Sequence, residues 1–252
     1  MLYHFSELRY VLKIAKLAIS KKAQLVVIQK SLSHLWPLAV LQLMGVKIVL
    51  SLHNGIWPTH RKANNRDKRL LFMNKVFYHR CHAILTIGPA VYNQVIEAMP
   101  RCASRVRMHI PQYDQHCRTL WRDRPPKKID EPFTLIFVGR IEKNKGVFDL
   151  FEAFERLAGA YPNLRLLYIG GGRALEILKE KGATSAYADR IAVFGRVDGA
   201  RVFAELDAAD LFICPTHSGF SEGLTKTPVE ASLRGLSSVV TTAVPTRLIL
   251  QD

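Results

Sequence analysis

The chain of 252 residues carries 36 Lys and Arg against 21 Asp and Glu, a formal net charge of +15. Apolar residues at 48% and charged residues at 23% exclude a disordered or collagen-like chain, and the length suits one large domain or two of about 120 residues. A charge of this size points to a polyanion, an anionic membrane surface or a phosphate-bearing ligand. It is unevenly spread: residues 1–126 hold 20 basic and 5 acidic side chains, whereas residues 127–252 hold 16 of each. The two halves are therefore expected to meet different partners.

In chain order, residues 5–20 place Leu8, Val11, Leu12, Ala15 and Ile19 on one helical face and Arg9, Lys13 and Lys16 on another, which predicts a basic amphipathic helix. An apolar run at 24–28 predicts a strand, followed by a helix over 32–44 and a strand over 47–52. The stretch 35–52 has the length of a membrane span, but Pro37, Gln42, Gly45 and Lys47 interrupt it, so it reads as buried helix, turn and buried strand. A basic loop over 59–69, a helix over 69–80 and strands at 83–87 and 105–110 complete the first half. Residues 118–131, with a Pro-Pro pair and charge at most positions, read as a stiff exposed linker. Beyond it, strands are predicted at 133–138, 164–169, 191–194, 211–214 and 238–241, alternating with helices at 146–159, 173–181, 199–208 and 228–234. That alternation predicts a parallel sheet covered on both faces, with ligands in the crevice beyond the carboxyl ends of the strands.

Cys81, Cys102, Cys117 and Cys214 are scattered without zinc-type spacing. With no signal-peptide pattern at the start, the expectation is a reducing cytoplasm. His79, Cys81 and His82 cluster in sequence but lack a fourth ligand nearby, so no metal site is expected there. His53 follows the strand at 47–52 and stands as a candidate functional histidine against a purely structural one.

Four loops carry the chemistry. Gly139-Arg140-Ile141-Glu142-Lys143-Asn144-Lys145-Gly146 runs from a strand into a helix: Arg140 offers a planar fork and Lys145 a point charge to an anion, and the helix N-terminus adds free N–H groups. The alternative is a solvated turn. Gly170-Gly171-Gly172 and Phe194-Gly195-Arg196-Val197 are similar strand-to-helix turns where a nucleotide could approach. The loop from Pro215 to Glu230 contains Glu222 and Glu230, eight positions apart, both suited to accept hydrogen bonds from sugar hydroxyls. Thr227-Pro-Val-Glu230 also reads as a capping box with Pro228 at the first helical position, a structural reason for Glu230 that Glu222 lacks.

Together, the GRIEKNKG loop, the GGG turn, the FGRV turn and the Glu-x7-Glu segment resemble the donor half of group 1 (family 4) glycosyltransferases, across roughly residues 130–245. The resemblance implies an α/β GT-B architecture of two Rossmann-like domains: 1–120 on the acceptor side, a linker over 121–131, and 132–252 on the donor side. It implies retaining transfer from a nucleoside-diphosphate sugar to a glycan or lipid-linked acceptor, with no cofactor or metal required. Arg140 and Lys145 would hold the diphosphate, Glu222 the donor sugar, Glu230 the ribose, and the backbone at Arg196 and Val197 the base. Gly139, Gly171, Ser221, Gly223 and Leu224 would complete the donor site, and His53 would stand near the donor sugar. Against the family pattern, both domains look incomplete: the first lacks its opening strand and Gly-rich loop, the second its last elements.

The basic first half suggests peripheral contact with an anionic membrane, on the inner face of a cytoplasmic membrane. Nucleic acid is not expected, since no helix-turn-helix, zinc finger or RNP motif is present. A non-catalytic polyanion- or membrane-binding module, an inactive fragment and a nucleotide-sugar epimerase of the same fold are the alternatives.

Overall fold

A computed structural model describes residues 2–30, 32–58, 61–109, 124, 131–220, 222–223 and 225–248. The chain forms two compact units, Met1–Pro111 with residues 221–224, and Gln112–Phe220 with Thr225–Asp252.

In the first unit, helix α1 (Leu2–Ser20) leads into β1 (Leu25–Gln29), then α2 (Ala39–Leu43), β2 (Lys47–Leu52), α3 (Asn65–Met73), α4 (Lys75–Arg80), β3 (Ala83–Ile87), α5 (Pro89–Ala98) and β4 (Val106–His109). The four strands pair in parallel in the order β1-β2-β3-β4. Ile48, Leu50 and Ile84 of the central strands are fully buried, as are Leu38, Leu41 and Phe77 of the same unit. The apolar stretch 35–52 resolves into the short α2, a turn at Gly45 with φ of +85° and the buried strand β2. Among the described residues no helix is long and apolar enough to cross a membrane.

Three expectations change here. The helix expected over 32–44 is only a 3-10 turn (Trp36–Leu38) and α2. The helix expected over 69–80 starts at Asn65, because Asn64 and Asp67 form a reciprocal capping box. It breaks at Asn74, whose buried amide is consumed by Ser33 O (2.7 Å), Leu70 O (2.8 Å) and Leu35 N (2.9 Å). In α1 the buried stripe runs through Glu7, Val11 and Ala18, whereas Leu12 and Ile19 are exposed; the stripe is rotated from the one the sequence suggested. Helix α5, not expected from the sequence, begins at Pro89 with Gly88 at its N-cap.

The second unit holds β5 (Phe133–Val138), α6 (Val147–Ala158), β6 (Leu164–Ile169), α7 (Leu175–Thr184), β7 (Ile191–Val193), α8 (Gly199–Ala208), β8 (Leu211–Cys214), α9 (Lys226–Leu233) and β9 (Ser238–Val240). All pairings are parallel, in the order β7-β6-β5-β8-β9. The two faces bury separate clusters, Phe137, Phe151, Phe154 and Tyr168 on one side and Ile136, Leu167, Leu206 and Phe212 on the other. The chain winds outward from β5 to β7, then returns to the other side of β5 with β8. The loops leaving β5 and β8 thus diverge at a topological switch point, where such sheets bind ligands.

Most of the expected linker lies outside the described residues. Arg124 within it is not a freely exposed charge: its guanidinium donates to the carbonyls of Leu206 (2.8 Å), Ala209 and Arg234 (3.3 Å), satisfying the end of α8. In the core of the same unit Arg234 pairs with Asp207.

Candidate donor site

The loop after β5 turns through a 3-10 step at Lys143–Lys145 into α6. Gly146 sits at the N-cap of α6 with φ of +70°, and a Cβ there would overlap the carbonyl of Pro215 after β8. No side chain caps α6, and Tyr168 Oη donates to Val147 O at 2.8 Å to fix its first turn. The β5 and β8 loops are latched again by His217, whose backbone N donates to Asn144 O (3.0 Å) and whose Nε2 lies 2.7 Å from Asp149 Oδ2.

This latch carries Phe220 over the two cations named from the sequence. Lys145 Nζ lies 4.7 Å and Arg140 Cζ 5.7 Å from the Phe220 ring centroid. Lys145 is only 7% exposed. The Arg140 side chain is 55% exposed and pairs with Glu142 at 3.1 Å. One deep and one shallow cation therefore share an aromatic face at the mouth of the crevice. A buried ammonium acts in a lower dielectric than bulk water, so its pull on an anion is stronger. Sequence reasoning missed Phe220 because its partners come from a loop some 75 positions earlier in the chain.

The glycines let neighbouring loops pack closely. Cβ atoms at Gly170 and Gly172 would overlap the carbonyls of Gly139 and Ile141, and Ile141 N donates to Gly171 O at 3.0 Å. The turn is glycine-rich so that the loops after β5 and β6 can pack together. Gly139 is held from Ile169 O at 3.0 Å. The Arg196 side chain lies across Gly171, which brings those two site residues together. Val197 is half-buried against the β5–β8 core, and Phe194 beside it is exposed with the Arg201 guanidinium 5.2 Å from its ring.

The capping box expected at Thr227–Glu230 is absent. Helix α9 starts two residues earlier, at Lys226, with Thr225 at the N-cap and no side-chain capping bond. Pro228 falls at the third helical position, still among the N–H groups that lack intrahelical partners. Glu230 is thereby released from its structural explanation. Burial raises its pKa, partly offset by the charges of Lys226 and Arg234.

Glu222 and Gly223 group with the first unit, where Gly223 forms an isolated antiparallel bridge with Asn54. A Cβ on Gly223 would overlap the His53 carbonyl. Ser221 and Leu224 lie outside the described residues. His53 is exposed at the carboxyl end of β2, with Nε2 3.1 Å from Ser51 Oγ. Partial burial of the ring and then the charge of His109 hold its pKa below the ordinary imidazole value, which favours the neutral ring. Cys81 is buried and its thiol is pushed up to about 12, first by burial. Among the described residues no group of three or more His, Cys, Asp or Glu is disposed to hold a metal ion.

The family described as glycosyl transferases group 1 covers residues 120–250, just over half of the chain. The phosphatidyl-myo-inositol mannosyltransferase of Mycobacterium tuberculosis is 29% identical over 47% of this chain and 30% of its own length. The alpha-monoglucosyldiacylglycerol synthase of Acholeplasma laidlawii is 27% identical over 81% of this chain and 54% of its own. The chain thus spans about half or less of these curated relatives. Among solved structures, a UDP-forming α,α-trehalose-phosphate synthase from Burkholderia xenovorans superposes with a TM-score of 0.70 at 15% identity, over 97% of this chain and 65% of that one. The shared fold is GT-B, α/β with parallel sheets, and the chain belongs to the group 1 glycosyltransferases.

Proposed function

We propose that this chain carries the donor-binding machinery of a retaining glycosyltransferase that moves a sugar from a nucleoside-diphosphate sugar to a glycan or lipid-linked acceptor. The observation that carries the reading is the buried Lys145, paired with Arg140 on one aromatic face at the N-terminus of α6. When the bond between the anomeric carbon and the diphosphate oxygen breaks, the electron pair leaves on the diphosphate. Lys145, Arg140 and the uncapped end of α6 supply positive potential there before the reaction begins, which is the requirement for electrostatic catalysis. No metal or other cofactor is assigned a role in this scheme.

Glu230, no longer needed as a cap, is assigned to the ribose hydroxyls, and Glu222 to orienting the donor sugar. Neutral His53 is assigned a hydrogen bond to the same sugar. The turn at Phe194–Val197 is assigned to the base. Uridine is the base to test first, since the solved neighbour is UDP-forming. A lipid-linked acceptor fits two relatives whose names carry lipids, phosphatidyl-myo-inositol in one and a glucosyldiacylglycerol product in the other. It also fits the basic first half of the chain, which we assign to peripheral contact with an anionic membrane surface on the cytoplasmic side.

Calorimetric titration with UDP-, GDP- and ADP-sugars tests the reading. One nucleotide series binds, and Lys145→Ala weakens it at least tenfold. Absence of binding to all three by folded protein overturns the proposal.

A further inference from the structure

Helices α3 and α4 carry the most exposed aromatic side chain among the described residues: Phe72 is 77% exposed, and Val76, one turn on, is 59% exposed. Met73 beside them is also open to solvent. These are not scattered surface hydrophobics, because the same helices are strongly basic. Residues 61–80 contain seven Lys and Arg and a single acidic residue, Asp67. That carboxylate is buried and held by Arg61 and the Asn64 cap, so it does not offset the outward charge.

Backbone bonds from Asn74 N to Leu70 O (3.0 Å) and from Tyr78 N to Asn74 O (2.9 Å) carry the helical phase across Asn74, so at 3.6 residues per turn Phe72 and Val76 form the crest of the open face. Lys68 and Lys75 flank it on one side, Arg69 and Arg80 on the other, and all four are exposed. A cavity of about 270 Å³ opens beside the crest. Its walls include Phe72, Met99, Pro100 and His79, with Lys75 and Arg101 as its charged groups and no carboxylate. It is just below the usual size for a whole small-molecule ligand, and suits part of an acyl chain beneath an anionic group.

Helix α1, the segment the sequence suggested for membrane contact, has the opposite layout. There Arg9, Lys13 and Lys16 occupy the middle of the open face, with Leu12 and Ile19 on one side and Tyr10 and Leu17 on the other. A helix lying in a bilayer interface needs its apolar centre pointing down and its cations at the rim. Of these two faces, the α3–α4 face meets that requirement.

We infer that the α3–α4 face is a docking surface for an anionic phospholipid bilayer, with Phe72 and Val76 entering the acyl boundary and Lys68, Arg69, Lys75 and Arg80 meeting the headgroups. The inference rests on the reading of the first unit as a membrane-facing acceptor side, and it selects the surface. Each cation near an anionic leaflet contributes about fivefold in partitioning.

The test is flotation of the full chain with phosphatidylcholine vesicles, with and without phosphatidylglycerol. The protein floats with the anionic vesicles only. Phe72→Ser/Val76→Ser lowers partitioning at least tenfold and Lys68→Gln/Lys75→Gln about thirtyfold, whereas Lys13→Gln/Lys16→Gln changes it by threefold or less. Phe72→Trp shifts its emission to the blue on adding the anionic vesicles. Equal binding to neutral vesicles, no flotation of the wild type, an unshifted Phe72→Trp, or an α1 pair as damaging as the crest overturns it. UDP binding, measured on the same variants, is unchanged. Failure of UDP binding in the wild type would refute the transferase reading without touching the flotation result.

Discussion

Replacing Phe220 by Leu removes the ring that faces both cations and keeps an apolar side chain of similar bulk. The contact with Lys145 is largely desolvated, so it contributes about 2 kcal/mol; the contact with the half-exposed Arg140 contributes about 0.5–1 kcal/mol. Two opposite effects on diphosphate binding are conceivable. The ring could compete with phosphate for the ammonium, in which case its removal tightens binding. Alternatively, it holds the ammonium in place and keeps water away. The second effect wins, because a ring covers one side of an ammonium that has three N–H donors, leaving the others for phosphate oxygens. Part of the lost contact appears as lower stability of the unliganded protein, so UDP binding weakens by about 1.4–2 kcal/mol, roughly ten- to thirtyfold. Calorimetry with UDP and with uridine separates the causes: UDP loses this factor, uridine loses little, and Phe220→Tyr restores UDP. A Leu variant that binds UDP as tightly as wild type, or one that loses uridine and UDP equally, refutes the reasoning.

Lys145→Ala and Arg140→Ala lower transferase turnover, by the roughly 10²–10³ typical of one lost transition-state contact, with Lys145 the more damaging because it is buried and Arg140 is already paired with Glu142. Steady-state rates near wild type for Lys145→Ala count against the assignment. Glu230 has a folded-state pKa raised by burial, so its stability contribution is most favourable in acid and is lost as pH rises through the folded pKa. Glu230→Gln therefore melts with wild type in acid and above it at neutral pH, while its UDP affinity falls; thermal melts across pH and calorimetry check both. Gly146→Ala forces a side chain into a left-handed conformation, costing about 1–2 kcal/mol, and against the Pro215 carbonyl. It lowers Tm by several degrees and weakens UDP binding in the same preparation.

The second unit was legible in sequence because its strands are short apolar runs, three of them closed at once by Gly139, Gly170 or Pro215, and all five lie within a residue of their expected positions. Arg140 and Lys145 could be named because a strand, a glycine loop and a helix start are local signals. Phe220 could not, because its role exists only once β8 lies beside β5, and strand order is a tertiary fact that spacing does not carry. The shift of α9 has a similar cause. Thr225 and Thr227 are both plausible caps in the sequence, and a proline among the first helical N–H groups costs nothing at either register. Only packing chooses between them, and the choice converts Glu230 from a helix cap into a half-buried carboxylate with no capping task. The same limit explains α1 and α3–α4. Composition located the surplus charge in the first half, but whether cations sit in the centre of an open face or at its rim depends on which stripe the core takes. In α1 the core took Glu7, Val11 and Ala18, leaving the lysines central. In α3–α4 it took Leu70, Asn74 and Phe77, leaving Phe72 and Val76 central. Net charge says that a chain seeks an anion; the phase of burial decides which of its faces meets it.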